Sequence, residues 1–436
     1  MSVKWTVFDN LMVGAIMAQS HIYRQRLNLI GNRHFLLFML HSFFAVTSGA
    51  MCYIILTWHT INFTNHTPLI NSVLISFSFW VPSILFSPFS GVVVDRYDRK
   101  TIVIVANTIR LLAFLGFSIA IHRFDTLLLC CSLNAINGSV WALLGPGLMA
   151  FTRELVPNDY LLAANSTLDI MIEIANIVGM AVASIMIVHW SIHASMLIIA
   201  FQSFLSILLL LTIHRKDECK SHGRNNENYW QQLVSGIGYL RERPALAVLY
   251  ITNEIFFLQF MICPILLAPL IKSSFHAGGH LFSLTELSLS MGLIIGSLSI
   301  PSLSQKLGRI PCLLGGVIYL SLIFFIIADS STPRNITLLY AILGAGLPLW
   351  SVIASFCQEH TDKSMQGRVQ SIFNTFGALG LMLIYLGLGI SKITPNTGYF
   401  LCTILGCLAF ALLIWIHQNQ HQLPVDTSAN ASLENQ

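Results

Sequence analysis

The chain has 436 residues, of which 55% are hydrophobic and only 10% charged, with a formal charge of +4. A soluble domain carries nearer ~25% charged residues, so this composition excludes a large water-soluble protein and, with so small a net charge, a nucleic-acid binder. The nine cysteines lie mostly inside apolar runs and form no C-x-x-C pair, which reads as packing and predicts no metal site and no cofactor.

Residues 1–33 hold a short apolar stretch, Leu11 to Ala18, interrupted beforehand by Asp9 and followed by Arg24, Arg26 and Arg33. That order fits a cytoplasmic amphipathic extension better than a cleaved signal peptide. A helix needs roughly 20 apolar residues to cross a bilayer. Runs of that size lie near 34–60, 68–94, 101–121, 126–152, 160–188 and 192–213, then at 244–271, 280–304, 310–329, 335–357, 365–391 and 397–417. The expected fold is an all-α membrane protein of about twelve transmembrane helices, arranged as an N-terminal bundle over 34–213 and a C-terminal bundle over 244–417. Between them, 214–243 forms a polar cytoplasmic linker ending in an amphipathic helix whose Leu233, Ile237 and Leu240 recur at helical spacing; 418–436 reads as a disordered cytoplasmic tail. With both termini inside, 18 of the 23 Lys and Arg fall on the cytoplasmic side and four outside, Arg110 lying within a span.

The sharpest motif is the loop after the second span, Gly91-Val92-Val93-Val94-Asp95-Arg96-Tyr97-Asp98-Arg99-Lys100. Gly91 permits close helix approach, Asp95 suits a helix start, and Arg96, Arg99 and Lys100 suit carboxylates or lipid phosphates. Taken alone, such a run can simply set topology. A worn copy, Pro301 to Arg309, follows the eighth span.

Ionisable groups at membrane depth are costly and are candidate functional residues. Arg110 lies roughly 15 Å past Lys100 along its helix, and Asp169 and Glu173 lie about 14 and 20 Å past Tyr160. Those two acids sit one turn apart on one face, so Arg110 is expected to pair with one of them, as a structural lock or as part of a coupling site. Glu254 is about 15 Å into the seventh span, beside Asn253 and Gln259. His41 in the first span is a candidate proton relay, and Trp141 and Trp350 in the fourth and tenth are candidates to stack on an aromatic substrate; packing is the competing role for all three. Glu286 is read as near the outer face and wetted. The chain shows no nucleophile triad and no phosphate-binding Gly-rich loop with a lysine, which argues against an enzyme and against an ATP-driven pump.

The loop resembles the G-x3-D-R-x-x-R-K signature of the major facilitator superfamily. Glu154-Leu155-Val156-Pro157 with Leu161, Ala164 and Asn165 resembles a stretch between spans four and five of one branch. Gly236-Ile237, Tyr239-Leu240-Arg241 and Arg243-Pro244 resemble its approach to span seven. Gln358, Thr361-Asp362 and Gly367-Arg368-Val369-Gln370-Ser371 resemble its approach to span eleven. That branch holds bacterial enterobactin-type siderophore exporters and macrolide efflux proteins; lysophospholipid transporters are similar in layout. The resemblance implies a monomeric secondary transporter of the bacterial inner membrane, with both ends cytoplasmic. It would export a small amphipathic molecule by alternating access, with protons as the coupling ion, and 91–100 as conformational switch. A lysophospholipid flippase acting on membrane lipid is the alternative, and a transporter-like sensor a third. One departure stands: span five reads Ile177-Val178-Gly179-Met180-Ala181-Val182-Ala183, without the G-P-x-x-G-G-like run of many proton-coupled exporters, while Gly145-Pro146-Gly147 sits in span four.

Overall fold

The computed structural model describes residues 28–423, apart from 30, 64–66, 122, 124–125, 158–159, 214–228, 331, 363–364 and 391–392. The N-terminal extension up to residue 27, most of the polar linker and the tail from 424 therefore lie outside the described residues. Twelve helical segments are long and apolar enough to cross a membrane. In the first half they are α1 (Arg33–Phe63), α2 (Pro68–Arg96), α3 (Arg99–Ala120), α4 (Thr126–Leu155), α5 (Leu161–His189) and α6 (Ile192–Leu211). The linker helix α7 (Tyr229–Arg241) follows. The second half holds α8 (Pro244–Pro269), α9 (Gly279–Leu307), α10 (Arg309–Asp329), the tenth span as α11 (Pro333–Gly346) and α12 (Leu349–Glu359), α13 (Gln366–Ile390) and α14 (Pro395–Gln418).

Local chemistry sets the ends of these helices. Prolines stand at the first turn of α2, α8, α11 and α14, where the missing N–H costs nothing. Asp98 caps α3, accepting from Thr101 N at 2.8 Å, and Ser191 and Thr394 cap α6 and α14. Gly308, at φ +87°, stops α9 where other residues would be strained. The tenth span breaks at Leu347-Pro348, whereas α4 runs unbroken through Pro146.

The two halves pack as repeats. In the first, α2 packs on α4, α3 on α6 and α4, and α1 on α5 and α6; in the second, α9 packs on α11, α10 on α14 and α11, and α8 on α14 and α13. Small residues make the tightest crossings. Gly138 of α4 lies against the backbone of Phe79 in α2, and Gly292 and Gly296 of α9 lie against Ala341 and Ala345 in α11. Without a hydrophobic drive between helices in lipid, such close approach supplies the van der Waals contact. The halves meet where α5 packs on α9, and α2 on α13 and α8. The helix α7 packs on α13 and α8 through buried Gly236, Tyr239 and Leu240, while Ile237 is exposed. Of the three apolar positions at helical spacing, Leu240 packs inward and Ile237 stays exposed, and the Leu233 side chain lies outside the described residues.

Candidate functional site

One membrane face carries the basic loops. There Arg99 at the start of α3 donates to Glu154 at the end of α4 at 2.7 Å, and Lys100 donates to Ile213 O at 2.8 Å, satisfying a carbonyl past the end of α6. The second half repeats the first pair: Arg309 at the start of α10 forks onto both carboxylate oxygens of Glu359 at the end of α12, with Arg309 Nη2 2.7 Å from Glu359 Oε1. A third pair links Arg243 and Asp362 at 3.9 Å. All three join residues of the same half. The side chains of Gly91, Asp95 and Arg96 lie outside the described residues.

Inside the first half, Arg110 is buried and its fork is satisfied without a carboxylate. Its Nε donates to Asn137 Oδ1 at 3.2 Å, Nη1 to Ala45 O at 2.8 Å and Nη2 to Ser48 Oγ at 2.9 Å. The guanidinium reaches α1 because Gly49 leaves room; a Cβ there would come 2.9 Å from Nη2. Among the described residues the partners of Arg110 are thus neutral acceptors from α1 and α4, not the expected Glu173. Glu173 is exposed on α5, and the Asp169 side chain lies outside the described residues. His41 is also buried, its Nδ1 2.9 Å from Ser206 O and 2.8 Å from Ser206 Oγ on α6. Spacing along one helix located these groups in depth but not their rotational partners, which lie on other helices.

In the second half, Gln259 is buried and donates to Cys402 O of α14 at 2.9 Å, a helix-to-helix bond rather than a cavity group. Trp350 stacks on Phe260 of α8, with ring centroids 6.4 Å apart, and Trp141 is half-buried on α4. Glu254 and Asn253 differ from these. Asn253 precedes Glu254, whose carboxylate rests against Gly377 of α13 in the space a Cβ would take. Glu254 lines a cavity of about 540 Å³ between α7, α8 and α13. The walls are otherwise apolar (Ile251, Leu258, Ile372, Phe373, Phe376), with Arg241 contributed by α7. Such volume and lining match a drug-sized ligand site with two charged groups, Glu254 and Arg241, in an otherwise apolar wall.

The described side-chain contacts between the halves gather at mid-membrane and towards the face opposite the basic loops. Trp58 of α1 stacks on Phe282 of α9 with centroids 4.6 Å apart and planes 15° apart. Gly279 lies against Trp58 and Ile187, and Gly389 against Val73. Nearer the middle, Trp80 of α2 meets Phe257 of α8 edge-on at 6.3 Å. Behind Trp58 and Phe282 sits Glu286, which is wholly buried. The wetted position expected from its nearness to the helix end is corrected by this burial, with Tyr53 of α1, Tyr340 of α11 and Tyr399 of α14 among its neighbours. Among the described residues no group of three or more His, Cys, Asp or Glu is placed to hold a metal ion.

Two six-helix repeats, a paired arginine and glutamate at the base of each, and a junction of α5 with α9 and of α2 with α13 are now in view. The Major Facilitator Superfamily pattern matches residues 38–385 and, in a second placement, 256–431. The chain belongs to the Major Facilitator Superfamily. Macrolide efflux protein A of Streptococcus pyogenes is 27% identical over 346 residues, covering 76% of this chain and 83% of that protein. Its namesake in Enterococcus faecalis is 25% identical over 312 residues, covering 69% and 95%. These relatives support a multi-pass transporter of the superfamily's efflux branch. Among solved structures, the nucleoside transporter NupG superposes with a TM-score of 0.65 at 16% identity, covering 89% of this chain and 98% of that one. A D-xylose–proton symporter superposes at 0.67 and 13% identity, covering 88% and 97%. Identities that low establish the fold alone.

Proposed function

We propose that this transporter exports amphipathic, drug-like cations from the cytoplasm across the bacterial cytoplasmic membrane, as a monomer with both termini inside, by alternating access driven by protons. The observation that carries the substrate class is the cavity around Glu254. A carboxylate in an apolar wall attracts a cation whose body is apolar, because the cation regains a partner while its apolar surface leaves water. The efflux relatives support the outward direction, and a macrolide is the first compound to test. The gathered contacts at the Trp58 end support a conformation closed on that side, with the basic face as the open one. The paired bases at Arg99–Glu154 and Arg309–Glu359 keep each half rigid while the halves rock. An acidic iron chelator would meet Glu254 with like charge, which places siderophore export second. Arg241 at the same cavity is the feature that favours the flippase alternative, as a partner for a lysophospholipid phosphate.

The test compares cells with and without the protein for retained radiolabelled macrolide, for iron chelator in the medium and for lysophospholipid in the membrane. Lower macrolide retention with the protein present supports the proposal. Unchanged macrolide with a change in chelator or lysophospholipid overturns it in favour of that substrate.

A further inference from the structure

Glu286 has no role in the cavity just described, yet its placement is the least expected in the molecule. It lies on α9 one turn after Phe282, on the side that stacks on Trp58, and it is 0% exposed. Neither carboxyl oxygen has a hydrogen-bond partner among the described residues. Its electrostatic neighbours are Tyr53 on α1, Cys263 on α8, Tyr340 on α11 and Tyr399 on α14. Two of these are already engaged with each other, since the Tyr340 and Tyr399 hydroxyls share a hydrogen bond, and Tyr53 is bonded to Ser76 Oγ at 2.8 Å. Of the other titratable groups on the packed helices, Glu173, His189 and His280 are exposed, and His59 follows Trp58 at the end of α1. Among the described residues no cation is a neighbour of the carboxyl. An ionised, unpaired carboxylate in such a place would destabilise the packing by several kcal/mol.

We infer that Glu286 is a proton-operated latch: the Trp58 end of the transporter closes only when this carboxyl carries a proton, and deprotonation in water holds that end open. The step is simple protonation. The carboxylate takes a proton from the solvent on the Trp58 side while α9 stands away from α1 and α5, and the neutral acid is then buried behind the Trp58–Phe282 stack. The inference rests on the rocking motion proposed above and adds the residue that senses acidity on one side of it. A one-proton latch changes the closed-to-open ratio by up to tenfold per pH unit.

The test places spin labels at Ser191 and Lys272, both exposed on the Trp58 side of different halves, in a full-length background with the nine cysteines replaced. Distances are measured in nanodiscs between pH 5 and 8, with and without tetraphenylphosphonium as a cationic probe. The expected result is a long-distance population that grows with pH in the otherwise native chain and stays small at every pH in Glu286→Gln. An unchanged pH response in Glu286→Gln overturns the latch. Distances that move with the probe but not with pH overturn the latch and leave the rocking motion standing. A single distance under every condition overturns both. Should Glu286→Gln not fold, the pH series of the Glu286 chain decides alone, and its failure to respond overturns the latch.

Discussion

Arg99 and Glu154 close the base of the first bundle with an ion pair of 2.7 Å, and Glu154 is only 4% exposed at its side chain. The pair joins the start of α3 to the end of α4, the same two places in the fold that Arg309 and Glu359 join in the second bundle. There the side chains are 40% and 52% exposed. Burial thus differs where geometry repeats, and the energetic consequences separate. Removing one partner of a buried pair costs about 3–5 kcal/mol, whereas an exposed pair contributes about 0–1 kcal/mol. Glu154→Gln should therefore lower the thermal midpoint in detergent clearly, and Glu359→Gln by far less. Equal losses would contradict this difference.

The glycines at the α9–α11 crossing make a second contrast. A Cβ on Gly292 would run into the Ala341 carbonyl, whereas one on Gly116 of α3 meets nothing within 4 Å. Gly292→Ala should destabilise by about 1–3 kcal/mol because backbone must move. Gly116→Ala should be neutral or stabilising by up to about 1 kcal/mol. Thermal unfolding of the two purified variants checks both signs.

Arg110 uses three of its nitrogens on three different acceptors. Lysine offers a single ammonium and cannot reproduce that planar fork. Arg110→Lys should lose about 1–3 kcal/mol of stability through unsatisfied buried acceptors. Wherever the protein survives in the membrane, the residual transport per folded molecule should stay near the unsubstituted level. A large loss of transport in a fully folded Arg110→Lys protein would return Arg110 to the coupling machinery.

Much of this architecture was legible in the sequence. Apolar run length alone gives twelve spans, and the Gly91–Lys100 loop with its worn copy at Pro301–Arg309 marks the repeat. The site was legible only in part. Hydropathy gives depth along a helix, and it placed Glu254 at mid-membrane. It does not give the partner across a helix interface, so Arg110 was matched to acids when its acceptors are Asn137, Ser48 and a carbonyl. The same holds for Glu286, whose neighbours Tyr53, Cys263, Tyr340 and Tyr399 lie on four other helices.

The Gly377 approach gives a prediction specific to the cavity. Because the Glu254 carboxylate occupies the place of a Cβ at Gly377, Gly377→Ala must push it aside. That variant should weaken binding of a cationic ligand by tenfold or more, as should Glu254→Gln, while a neutral ligand of similar size keeps its affinity to Glu254→Gln. Titration of purified protein by fluorescence or calorimetry reads each affinity.

The most direct test of the central claim is transport of ethidium, a permanent aromatic cation, in inside-out membrane vesicles energised by a proton gradient. The account predicts uptake that needs the protein, collapses with the gradient, and falls by at least tenfold in Glu254→Gln at equal protein level. Uptake that is the same with and without the protein, or is untouched by Glu254→Gln, would contradict it.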